Sequence, residues 1–238
     1  VRSCLRVRLP AMLHLASRSP RRAELLARLG LDFGIIDLDL PEHQDAGEAA
    51  AEYVRRVARE KAGAGLLQVV AVPGALVLGA DTEVILDGDV FGKPADADDA
   101  AAMLRRLSGR THEVITAVSV VSAVREAQAV STSLVTVAPL DDAAIAAYLA
   151  TGEWQGKAGA YAIQGRFESR IRHLSGSFSG VMGLPMFETA RLLREAGTWA
   201  LVDVLAPNVT GPLYEADPAG VGSTLDRWTG DDAFWIRR

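Results

Sequence analysis

The chain has 238 residues, is 49% hydrophobic and 23% charged, and carries a formal net charge of −5. This is the balance of a globular protein with a buried core, and it excludes a disordered chain, a collagen-like repeat and a membrane-spanning bundle. The apolar stretch from Leu66 to Ala80 is broken by Gln68, Pro73 and Gly74, too soon for a spanning helix. One cysteine and four histidines without zinc-ligand spacing point to a reducing, cytoplasmic setting. The acidic balance argues against general nucleic-acid binding.

Of the 25 basic residues only three are lysines, Lys61, Lys93 and Lys157. Seven arginines face one glutamate in residues 1–30, a front-loaded charge that faintly resembles a signal peptide. Pro10, His14 and the arginines that follow break that pattern.

In chain order, Met12 to Ala16 reads as a short buried strand. It leads through Ser17-Arg18-Ser19-Pro20-Arg21-Arg22 into a helix with Ser19 as N-cap, Pro20 at the first position and Leu25, Leu26 and Leu29 as the apolar stripe up to Gly30. A second helix spans Glu48 to Ala64, with Val54, Val57, Ala58, Lys61 and Ala62 on one face. Ala75 to Ala80 is a strand ending at Asp81, and Asp87-Gly88 within Val84 to Phe91 marks a hairpin. Asp96 to Leu107 is a helix, Val114 to Ser122 and Ala129 to Val137 are strands, and Asp141 to Ala150 is a helix. Gly156 to Gly183 reads as strand and loop, Pro185 to Glu195 as the last clear helix, and the chain beyond Pro207 as a loosely ordered tail. The alternation of apolar runs with amphipathic stretches predicts an α/β fold.

Three places carry candidate chemistry. Arg21 and Arg22 sit in the first turn of a helix, where the dipole favours acidic side chains. They are the wrong sign unless an anion such as phosphate lies between the helix end and the guanidinium groups; arginines pointing into solvent are the alternative. Asp81, at the C-terminal end of a buried strand, stands at the edge where open α/β sheets place ligands. It can bind a divalent metal or act as general base toward water, or simply open the hairpin. The three lysines, scarce in an arginine-rich chain, each lie beside unusual residues, and their convergence would suit a polyphosphate. Neither a GxxxxGK[ST] loop nor a GxGxxG fingerprint occurs.

With these residues in hand, the chain resembles the Maf family of nucleoside triphosphate pyrophosphatases, historically described as septum-formation proteins. The matching strings are LASRSPRRAELLARLG (15–30), REKA (59–62), LGADTEVILDGDVFGKP (78–94), GEWQGKAGAYAIQG (152–165) and GLP (183–185). The resemblance implies a mixed α/β fold, with an elongated twisted sheet flanked by helices and a cleft between two lobes. It implies hydrolysis of a nucleoside triphosphate to monophosphate and pyrophosphate with Mg²⁺ or Mn²⁺. By motif, Asp81 would be the general base and a metal neighbour, while Ser17, Arg21, Arg22, Lys61, Lys93 and Lys157 would contact phosphates or order the site. Arg21, Thr82 and Gln164 match the branch acting on dTTP and UTP, and an amide such as Gln164 can pair with the O4 and N3–H edge of uracil or thymine.

The chain departs from the family at Trp154 and Gly156, where Pro and Asp are usual, and at Gly180, where Asn is common. Glu42 is the best match to the family's Asp-Glu pair and is the second metal candidate. The organisation expected is a Maf-like domain over 12–206, an extension over 1–11 and a tail over 207–238. A homodimer is compatible with the sequence. Two other readings stay open: a nucleotide-binding regulator of cell division, and the same enzyme class acting on 7-methyl-GTP.

Overall fold

A mixed sheet runs through the computed structural model, which describes residues 12–197. Its strands are β1 (Leu13–Ala16), β2 (Phe33–Ile36), β3 (Leu76–Leu86), β4 (Asp89–Phe91), β5 (Thr111–Ser122), β6 (Glu126–Val137) and β7 (Ile171–Ser175). They lie in the order β2-β1-β3-β5-β6-β7, with β4 on β3. β1 is parallel to β2 and β3, and every other pairing is antiparallel. The helices are α1 (Pro20–Ala27), α2 (Ala50–Gln68), α3 (Ala97–Leu107), α4 (Asp142–Leu149), α5 (Phe178–Met182) and α6 (Met186–Glu195). The chain is therefore mixed α/β. The described residues belong to one compact unit, and the anticipated lobes are two sides of a cleft within it. The expected extension over 1–11 and tail over 207–238, like the last residues 198–206 of the expected domain, lie outside the described residues.

Several elements differ from the expectation. β2 was not anticipated, because Phe33-Gly34-Ile35-Ile36 is a four-residue run interrupted by glycine. The 156–183 segment, expected as strand and loop, also holds 3₁₀ turns at Ala158–Ala160 and Arg166–Arg170 and the short helix α5. The strand expected to stop at Asp81 instead runs on to Leu86, because β5 pairs with it from Leu76 to Ile85. Asp81 is thus neither a strand end nor a hairpin opener.

The opposite edge of β3 is what opens the site. β1 pairs with β3 only as far as Gly79, opposite Ala16, and β4 begins to pair at Val84. Between them, Ala80 to Glu83 have no strand neighbour on that side among the described residues. β1 ends there and turns into α1, so the Ser17 to Arg22 segment faces this gap.

Helix α2 covers one face of the sheet. Tyr53, Val54, Val57 and Ala58 pack on Ile115 and Ala117 of β5. Where α2 crosses β3, Gly79 is required: a Cβ there would stand 2.4 Å from Ala58 O and 2.6 Å from Ala62 N. This close crossing lays Lys61, on the buried face of α2, over β3.

Candidate active site

Every candidate catalytic, substrate-binding and metal residue named from the sequence borders one cleft of about 660 Å³. It is walled by the turn after β1, the gap on β3, the Glu42 and Lys93 loops, and the segments around 155–164 and 181–183.

The turn into α1 differs from a bare helix end. Ser17 Oγ accepts the N–H of Ser19 at 3.1 Å, Ser19 Oγ accepts the N–H of Arg22 at 3.4 Å, and Pro20 has no N–H. Two backbone N–H groups of the turn are thus engaged and Pro20 supplies none, so the guanidinium groups of Arg21 and Arg22 carry the positive charge there. Burial, and then the neighbouring Arg22, lowers the pKa of the half-buried Arg21. Arg22 acts as a clamp: its Nε–H donates to Gly183 O at 2.8 Å and its Nη2–H to Thr82 Oγ1 at 3.1 Å. The hydroxyl of Thr116 is shared between Gly180 O (2.8 Å) and Thr82 Oγ1 (2.9 Å). Thr82 is therefore held from α1 and β5, through two side chains that are themselves bonded to the carbonyls of Gly183 and Gly180.

On the other side of β3 a charged chain forms. Lys61 Nζ lies 2.8 Å from Asp81 Oδ1 and 2.6 Å from Glu42 Oε1, and Lys93 Nζ lies 3.0 Å from Glu42 Oε2. Burial alone would raise the pKa of Glu42, but the hydrogen bonds and charges of Lys61 and Lys93 outweigh it and hold the group at about 2. Asp81 is 4% exposed, and its Oδ2 is buried without a hydrogen-bond partner.

Lys157 borders the cleft from the opposite wall, where its Nζ–H donates to Gln155 O at 2.9 Å. Gln164 is exposed on the same wall. This segment is braced from below: His112 Nε2 and Tyr161 OH are 2.8 Å apart, Tyr148 OH accepts the N–H of Ala162 at 3.0 Å, and the Phe167 ring packs at a tilt against both tyrosines. The departure at Trp154 has a local reason, since its indole N–H donates to Leu149 O at the end of α4. Gly156 has a φ of +64°, a left-handed conformation that suits glycine better than the usual Asp.

One residue of the cleft was missed. Glu83 is 8% exposed and its Oε2 has no partner. Burial, then the charges of Asp81 and Glu42, push its carboxyl up to about 8. The available signal was an acidic residue alternating with Asp81 inside an apolar strand.

Among the described residues no three His, Cys, Asp or Glu side chains form a ready-made metal cage. The unpartnered, buried Asp81 Oδ2 nonetheless fits a divalent cation of the kind that takes one or two carboxylates and completes its shell with substrate phosphates and water.

Residues 12–196 match the family model described as Maf-like protein. A second model, described as DNA alkylation repair enzyme, matches residues 181–238, a minor part of the chain lying mostly beyond the described residues. The dTTP/UTP pyrophosphatase of Xanthomonas euvesicatoria pv. vesicatoria is 63% identical over 188 residues, covering 78% of this chain and 99% of that protein. The nucleoside triphosphate pyrophosphatase of Xylella fastidiosa strain 9a5c is 57% identical over 183 residues, covering 76% and 97%. The solved structure of the Staphylococcus aureus Ham1 protein overlaps 53% of this chain and 71% of its own, with a TM-score of 0.39 and 15% identity. No helix among the described residues is long and apolar enough to cross a membrane.

Proposed function

Because the chain belongs to the Maf-like protein family, we propose that it is a nucleoside triphosphate pyrophosphatase that converts dTTP and UTP to the monophosphate and pyrophosphate. The substrate choice rests on the relatives that bear that name. The observation that carries the chemistry is Asp81, whose Oδ1 is held by Lys61 and whose Oδ2 is unpartnered beside a cleft lined by Arg21, Lys93 and Lys157.

In this reading Asp81 Oδ2 accepts a proton from water, and the water oxygen attacks the α-phosphorus. The bond to the α,β-bridging oxygen breaks, and its electron pair leaves with pyrophosphate. Lys61 keeps the carboxylate oriented. Arg21, Lys93 and Lys157 neutralise the triphosphate, with Ser17 at the turn as a further polar contact. Arg22 holds Thr82, and Thr82 and Gln164 face the nucleotide from opposite walls. Such a site works chiefly by positioning and charge stabilisation. A divalent cation, Mg²⁺ or Mn²⁺, would be held by Asp81 together with phosphate oxygens, and it would supply further neutralisation of the charge that builds up on them. A carboxylate offers about four lone-pair sites, so contact with a cation leaves others for the water. Glu42 would join only by exchanging Lys61 or Lys93, which engage both its oxygens. The cytoplasm is the compartment we propose, and cleansing of modified nucleotides is a role that suits the reaction.

The test is a panel of nucleoside triphosphates, with 7-methyl-GTP included, incubated with Mg²⁺ or Mn²⁺ and assayed for pyrophosphate. Release from dTTP and UTP is expected. Release confined to 7-methyl-GTP would refute the pyrimidine assignment, and none from any nucleotide would favour a binding regulator. Asp81→Asn is expected to lose turnover and retain nucleotide binding.

A further inference from the structure

Asp81 and Glu83 are separated by one residue on β3, so both side chains leave the same face of the sheet. That face is the one α2 covers. Their cross-strand neighbours on β5 are Ala117 and Ile115, both packed against α2, and neither side chain can hydrogen-bond to a carboxylate. Lys61 meets only Oδ1 of Asp81, and Lys93 is engaged with Glu42. Asp81 Oδ2 and Glu83 Oε2 are both left buried without a partner, in residues 4% and 8% exposed that border the same cleft.

A pair of buried carboxyl groups with two unsatisfied oxygens is a costly arrangement. A small, hard cation is the partner that satisfies both oxygens at once. The nearby cations, Lys61, Lys93 and Arg22, are already engaged with Asp81 Oδ1 and Glu42, with Glu42, and with Gly183 and Thr82. Two carboxylates plus phosphate oxygens and water complete the usual shell of Mg²⁺, so no third protein ligand is needed.

We propose that Glu83 is a second protein ligand, beside Asp81, for the divalent cation that accompanies the triphosphate. The proposal rests on the pyrophosphatase reading above and specifies which carboxylates the cation uses. Glu42 stays with its two lysines and orders them.

The test uses Mn²⁺ as the probe, titrated onto the full chain in the presence of α,β-imido-dUTP, with free Mn²⁺ followed by electron paramagnetic resonance. Wild type is expected to take up Mn²⁺, and Glu83→Gln to bind it at least about tenfold more weakly. Affinity for the analogue in EDTA should stay unchanged. Glu83→Asp retains the charge but withdraws it by one methylene. It is expected to weaken Mn²⁺ as well, because a ligand depends on reach. Wild-type Mn²⁺ affinity in either variant overturns the assignment of Glu83, and with Glu83→Asp it would mean that charge alone mattered. If wild type binds the analogue but no Mn²⁺, the cation reading itself fails and the inference falls with it. Circular dichroism establishes that each variant is folded; should Glu83→Gln not fold, Glu83→Asp decides.

Discussion

Lys61 Nζ on α2 lies 2.8 Å from Asp81 Oδ1 on β3, and both side chains are almost wholly buried. The same ammonium group meets Glu42, so one cation serves two carboxylates from different parts of the chain. Replacing it by an apolar isostere leaves both anions without that partner. Lys61→Met is expected to destabilise the fold by about 3 kcal/mol and to lower kcat by roughly 10²-fold or more. Urea unfolding and pyrophosphate release measure the two effects. Lys61→Arg should not restore activity, because a planar fork cannot occupy the position of a compact ammonium.

The crossing of α2 over β3 gives a backbone-level prediction. In Gly79→Ala the new methyl would meet Ala58 O and Ala62 N, which are main-chain atoms that cannot rotate away. The helix must shift, at a cost of about 1–3 kcal/mol or more, and Lys61 shifts with it away from Asp81. Loss of both thermal stability and turnover is expected. Gly63, on the same helix with open space around its Cβ position, is the contrast: Gly63→Ala should stabilise by about 0.5–1 kcal/mol through helix propensity.

Arg22 joins α1 to Gly183 and to Thr82 through two different nitrogens. Arg22→Lys retains the charge but loses the fork, so one of these bonds goes. A stability loss of about 1–2 kcal/mol is expected, with a raised KM for dTTP as Thr82 loses its anchor. A KM equal to that of wild type would contradict the clamp.

His112 sets a pH dependence on the low side. It is 2% exposed, and burial lowers its pKa to about 4, below the ordinary value near 6.5. Between these values the unfolded chain binds more protons than the folded one. The stability linked to His112 is therefore fully present above about pH 6.5 and is lost as the pH falls toward 4, by about 3 kcal/mol in all. His112→Phe should lack this component, so urea midpoints of the two proteins should converge between pH 7 and pH 4. Parallel profiles would sink the assignment.

Much of the site was legible in the sequence because local patterns carried it. Lys61 fell among Val54, Val57, Ala58 and Ala62 at helical spacing, and those residues do form the buried face of α2. Ser19 and Pro20 announced the start of α1 for stereochemical reasons that need no tertiary context. The continuation of β3 past Asp81 was not legible, since it depends on a partner strand distant in sequence, where Ala117 pairs with Asp81. Glu83 was passed over for the same reason. Its burial is imposed by a helix laid over the strand, and an acidic residue in an alternating run otherwise reads as solvent-facing. What the sequence did not show at the start of α1 is that Ser17 and Ser19 each take up a backbone N–H of the turn, those of Ser19 and Arg22.

The break in pairing along β3 has a consequence for what can enter. An open sheet edge normally invites a further strand, from the same protein or another. Here the bare run extends only from Ala80 to Glu83, closed off by β1 at one end and β4 at the other. An extended peptide has no room to lie along it, so strand addition at the notch is blocked while a small molecule can enter end-on. A break that would be an aggregation risk on a longer strand becomes, at this length, a size filter.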